Sequence, residues 1–169
     1  MMKSIDTRKM VVAAILAGLT FIVTSFTRIP SFMPKAYYHA GDSIIFLSAM
    51  TLGAPMTAFV AGVGSFFADL YLGYPVFMFA TLIIKGVMGY IAGKFMYIPN
   101  KRPPSMRIFL GILLSSLWMV FGYYIFEVFV LSYDWRVALL DAAANAAQAG
   151  VGAVIFIPLS YTAARFKKL

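Results

Sequence analysis

Charge is nearly absent from long stretches of this chain, and those stretches are apolar. Five of them stand between charged or Pro/Gly-rich boundaries: Met10 to Thr27, Ser43 to Leu72, Val76 to Tyr97, Ile108 to Phe126, and Ala142 to Ala164. A helix that crosses the hydrocarbon core needs roughly 20 predominantly apolar residues. The second stretch is half as long again as that, and Gly53-Ala54-Pro55 interrupts it. Gly and Pro together at a helix end mark a turn. The pattern therefore predicts a short helix 2 over Ser43 to Leu52 and a helix 3 over Pro55 to Leu72. Helix 2 is too short to span alone, so it is expected to be tilted, short, or longer at its N-terminal end.

The remaining basic residues decide between five helices and six. Lys and Arg concentrate on cytoplasmic flanks. Six helices place Lys3, Arg8, Lys9, Lys94, Lys101, Arg102, Arg107, Arg165, Lys167 and Lys168 on one side, leaving Arg28, Lys35 and Arg136 on the other. Five would split the two basic termini across the membrane. The fold class expected is an all-α integral membrane protein, with six transmembrane helices in one bundle and both termini cytoplasmic.

Composition agrees. Of 169 residues, 62% are hydrophobic and 12% charged, against about 25% charged in an average soluble domain. The runs leave no linker that would separate two domains, so one domain is expected over 1–169. The first apolar run is too long for a signal-peptide core and has no cleavage site after it. The net charge of +8 is accounted for by topology and anionic lipid, with no nucleic acid required. With no cysteine, disulfides, thiolate metal sites and cysteine nucleophiles are excluded.

An ionisable group inside a hydrocarbon-length segment is a functional-site candidate by default. The cluster Tyr37-Tyr38-His39-Ala40-Gly41-Asp42 leads into helix 2, Asp69 sits in helix 3, and Lys85 in helix 4. The rise per residue of a helix puts Lys85 deeper than Asp69 by a distance its stem can bridge. A buried Asp69–Lys85 ion pair is expected, with ligand contact by Lys85 as the alternative. Asp141, Asn145 and Gln148 fall at i, i+4 and i+7, on one face of helix 6, where the amides either bond across helices or meet a ligand. Tyr123 and Glu127 share a face of helix 5. His39, the sole histidine, has no second histidine or cysteine with which to hold a metal. There is no phosphate loop or nucleophile elbow, so neither an enzyme nor a cofactor is expected. On helix 1, Ala13-x-x-x-Ala17 and Ala14-x-x-x-Gly18 form small-residue faces that serve internal packing or a partner helix.

In this order, His39-x-Gly41-Asp42, Gly62-x-Gly64-Ser65 to Asp69, Gly73-Tyr74-Pro75, Lys85-Gly86 and Asn145-x-x-Gln148 resemble the S components of energy-coupling factor (ECF) transporters. The resemblance implies a substrate-binding subunit of an ATP-driven vitamin transporter in the bacterial cell membrane. Its partners would be a transmembrane coupling subunit and two ATPase subunits. It assigns the small-residue face of helix 1 (Ala13, Ala14, Ala17, Gly18) to the coupling subunit. It places the loop 28–42 over the ligand, and it makes Tyr38, His39, Asp42, Lys85, Tyr123, Glu127, Asn145 and Gln148 pocket residues. The expected cargo is hydroxymethylpyrimidine, then pyridoxine. Nickel and cobalt are excluded, since their S components carry an N-terminal histidine-rich set. A stand-alone secondary transporter is the alternative, but it would need a coupling-ion site and usually an internal repeat, and no repeat is visible.

Overall fold

The computed structural model describes residues 7–27, 29–30 and 37–166, without the side chains of 29–30, 37–38 and 164–166. The described residues form six α-helices: α1 (Thr7–Phe26), α2 (Gly41–Leu52), α3 (Ala54–Leu72), α4 (Pro75–Met96), α5 (Ser105–Ile125) and α6 (Trp135–Phe166). Five of them are long and apolar enough to cross a membrane, and α2 is the exception. Between α1 and α2, Ile29–Pro30 and Tyr37–Tyr38 pair as a two-residue antiparallel ladder, β1 with β2.

The helix ends follow from local chemistry. Gly53 (φ 83°) turns the chain between α2 and α3, and Gly73 (φ 80°) closes α3 in the left-handed conformation that favours glycine. Pro55 and Pro75 stand in the first turns of α3 and α4, where a missing N–H costs nothing. α6 starts well before the expected Ala142. Asp134 Oδ1 accepts from the Arg136 N–H at 2.8 Å, which caps a first turn that includes Trp135 and Arg136. Arg136 and Asp141 lie within the helix rather than bounding it.

α2 is the buried element. Every one of its residues except Leu47 and Thr51 is buried, and it touches α1, α3, α4 and α6. Phe46, Ala49 and Met50 join Met88, Met96, Met119 and Phe156 in the main core. The long helices surround this strut and leave large apolar side chains such as Ile15, Phe79, Phe121 and Val154 exposed, as lipid-facing helices do.

One end of the bundle is basic. The Lys9 Nζ lies over the Tyr97 ring at 5.8 Å, and the Arg102 guanidinium over Tyr161 at 4.1 Å. The start of α1, the α4–α5 connection and the last turns of α6 therefore share that end. The opposite end carries the cavity.

Candidate functional site

Above the N-terminus of α2 the helices part around a cavity of about 1010 Å³. Its floor is a buried polar network. Lys85 Nζ donates to Asp42 Oδ1 at 2.5 Å and approaches Met119 Sδ at 2.8 Å. Gln148 Nε2 donates to the other oxygen, Asp42 Oδ2, at 3.0 Å. Asp42 is fully buried, and Lys85 and Gln148 are 2% and 4% exposed. Gly152 lets α6 come down on this corner, because a Cβ there would lie 2.7 Å from that of Asp42.

The walls come from several helices. Tyr123 donates to Thr81 Oγ1 at 3.0 Å, tying α5 to α4. Glu127 sits in a π-helical turn, Phe126–Val130, that extends α5. Such widened turns recur at functional sites, and this one brings Glu127 to the cavity. There Oε2 is buried without a hydrogen-bond partner. Asn145, Asp141 and Gln148 line the α6 wall together, while Ser65 and Asp69 line that of α3. Among the described residues, no three His, Cys, Asp or Glu side chains are grouped as a metal site.

His39 lies outside the spans and is buried, its Nδ1 accepting from the Gly41 N–H at 3.1 Å. Burial is the main influence on its imidazole. It pushes the pKa from 6.5 down to about 4, with Lys85 adding to the shift and Asp42 opposing it. An unfolded chain takes up this proton below pH 6.5, whereas the folded one stays neutral until about pH 4. The contribution to stability is thus complete above the higher value and is lost as the pH falls through the lower. The thermal unfolding midpoint in detergent is expected to drop across that window, and to drop less in His39→Gln. Equal slopes would remove His39 as the cause.

Residues 4–165 match the family model described as ECF-type riboflavin transporter, S component. The chain belongs to this family. It is 31% identical over 166 residues to the thiamine precursor transporter HmpT of Lactococcus lactis subsp. cremoris (strain MG1363), a match covering 95% of this chain and 90% of that one. It is 39% identical over 103 residues to an uncharacterized protein of Pyrococcus woesei, covering 60% of this chain and 66% of that protein. A solved S component of a bacterial ECF transporter shares the fold, with a TM-score of 0.74 at 22% identity, covering 96% of this chain and 99% of the other. An S component is a substrate-binding transporter subunit for vitamin uptake, not an enzyme, and this one is a multi-pass plasma-membrane protein.

The S-component cavity gathers six of the expected pocket residues in its lining: His39, Lys85, Tyr123, Glu127, Asn145 and Gln148. Asp42 lies just beneath the lining, held by two of them. The side chain of Tyr38 lies outside the described residues. Two expectations need correction. The ion pair of Lys85 is with Asp42, not Asp69, because α2 inserts beside α4 and brings its first-turn carboxylate to the lysine. Asp69 stands at the cavity instead, with Oδ2 unpartnered. The small-residue face of α1 also divides. Ala13 and Ala17 are buried within the subunit, Ala13 against Leu52 and Val60 and Ala17 against α3 at Gly64. Only Ala14 and Gly18 remain exposed on the bundle surface. Lining residues not singled out from the sequence include Thr24 and Thr81. The i, i+4 pair Thr20 and Thr24, at the far end of α1 from its basic start, was the available signal.

Proposed function

We propose that this S component captures hydroxymethylpyrimidine, a thiamine precursor, and delivers it as part of an ATP-driven transporter with a transmembrane coupling subunit and two ATPase subunits. The observation that carries the reading is the cavity itself: two carboxamides, two carboxylates each with an unpartnered oxygen, and tyrosine rings face one space. An aminopyrimidine edge presents an amine donor beside a ring-nitrogen acceptor. A carboxamide offers the complementary pair, as Asn and Gln do to adenine. Asn145 can take that edge, and Glu127 Oε2 can accept the second amine hydrogen. Gln148 spends its amide N–H on Asp42 and keeps its oxygen for a donor. The likeness to the thiamine precursor transporter supports the same ligand class. Basic flanks favour the cytoplasm, so both termini are placed there and the cavity opens outward. The exposed Ala14 and Gly18 on α1 would then receive a helix of the coupling subunit.

A second reading rests on size. The cavity of about 1010 Å³ is at the top of the usual range of roughly 300–1,000 Å³. It therefore admits a larger ring system such as riboflavin, the vitamin in the family description.

Calorimetry on the detergent-solubilised protein with hydroxymethylpyrimidine, pyridoxine, thiamine and riboflavin separates these readings. Hydroxymethylpyrimidine is expected to bind tightest. Asn145→Ala and Glu127→Gln are each expected to weaken it about 10-fold, as loss of one hydrogen bond to a polar or charged partner does. Tighter binding of riboflavin would install the second reading, and no binding of any of the four would sink both.

A further inference from the structure

The α1–α3 side of the cavity contains polar groups that the protein leaves unsatisfied. A hydroxyl in an apolar helix ordinarily bonds back to the carbonyl four residues earlier. Thr20, Ser48, Thr51, Thr57 and Ser115 all do so here. Thr24 and Ser65 do not: their hydroxyl oxygens are buried without a partner, as is Asp69 Oδ2. Thr24 and Ser65 are each 3% exposed and Asp69 8%, and all three line the cavity. Ser25 and Ser116 are also unpartnered, but neither reaches it.

Ser65 and Asp69 share the α3 face of the cavity, and Thr24 joins them from α1 with its Oγ1 packed against Gly41 at the start of α2. α1 and α3 run side by side in parallel register: Ala13 packs with Val60, Gly64 lies against Ala17 and Thr20, and Phe21 meets Tyr71 edge to face with Phe26 tilted against the same ring. One turn beyond Thr20 brings Thr24 level with Ala68 and Asp69. Ser65 and Asp69 are four residues apart and so lie on one face of α3. A buried polar atom left unpaired carries a desolvation cost that a bonding partner removes.

We propose that this wall is a second subsite of the cavity, one that binds an aliphatic hydroxyl of the ligand. The hydroxyl donates to Asp69 Oδ2 and accepts from Ser65 or Thr24. An ammonium fits less well, since it only donates and would leave both protein hydroxyl hydrogens without an acceptor. The inference rests on the pyrimidine reading: the hydroxymethyl arm occupies the α1–α3 wall while the ring edge meets Asn145 on α6. Substrate choice then depends on two helices that contribute nothing to ring recognition.

The test compares the full-length protein's affinity for hydroxymethylpyrimidine and for its analogue with a methyl in place of the hydroxymethyl. The wild type is expected to prefer the hydroxylated ligand at least about 10-fold, because a site built to bond a hydroxyl rejects the analogue that lacks it. In Ser65→Ala/Thr24→Val, and separately in Asp69→Asn, that preference is expected to shrink about 5-fold or more, with affinity for the methyl analogue kept. Asn145→Ala is expected to weaken both ligands equally. An unchanged preference in the wall variants, or an equal loss for both ligands, overturns the subsite and leaves the pyrimidine reading standing. Binding of neither pyrimidine by the wild type overturns that reading, and the subsite with it.

Discussion

Asp42→Ala is expected to be the most damaging single change in the bundle, at about 3–5 kcal/mol, the usual consequence of removing one partner of a buried pair. The lysine it would strand is 2% exposed, deep in a helix whose other faces meet core or lipid. An ammonium without its carboxylate in such surroundings keeps its desolvation cost and loses what offset it. The loss does not measure the worth of the pair, because two apolar groups in the same places can be equally stable. The decisive comparison is a cycle of Asp42→Ala, Lys85→Met and the double variant, unfolded in detergent by denaturant. The double variant is expected to recover most of what Asp42→Ala loses. If the two single losses simply add, the charges do not depend on one another and the floor of the cavity has been misread.

Gly93→Val is expected to cost about 1–3 kcal/mol or more, as overpacking of a tight core does. A Cβ at Gly93 would stand 2.6 Å from Ala54 Cα and 2.7 Å from Ala54 N. Both are backbone atoms and cannot rotate aside, so α3 and α4 must separate. Between membrane helices there is little hydrophobic drive to bring them together again, since lipid is as apolar as the side chains, and close packing through small residues is what holds the seam. Gly150→Ala is the matched control. Nothing lies within 4 Å of its Cβ position, and alanine favours a helix interior over glycine by about 0.5–1 kcal/mol. Unfolding of Gly93→Val at the wild-type denaturant concentration would mean that the α3–α4 seam carries no stability.

The helices were legible because the bilayer forbids what a soluble fold allows: no charge could interrupt a span without cause, so charge marked the ends. The same logic pointed to Lys85, Glu127, Asn145 and Gln148 as residues needing a reason, and all four face the cavity. It failed where the reason lay in three dimensions. Asp42 and Lys85 are 43 residues apart, and depth along a helix axis says nothing about which carboxylate lies beside a lysine. Asp69 had a suitable depth and the wrong neighbours. The alanines of α1 misled for a related reason. Spacing identifies a face that permits close approach, but Ala13 and Ala17 receive α2 and α3 of the same chain, while Ala14 and Gly18, each one residue on, look outward. That the hydroxyls of Thr24 and Ser65 stand unpaired was not foreseeable, because a hydroxyl in a membrane helix usually satisfies itself locally.

α2 has 12 residues, about 18 Å of helix, in a hydrocarbon layer about 30 Å thick. A lipid-facing helix of that length would make the bilayer thin around it or draw flanking residues toward the interfaces. α2 is buried at all but Leu47 and Thr51, so its shortness creates little hydrophobic mismatch, and the missing length becomes the hollow that the other helices enclose. The bilayer is matched by five long helices, while the depth of the hollow is set by where the sixth begins. Residues added or removed at the N-terminal end of α2 would therefore alter how deep a ligand sits without altering which membrane the protein fits.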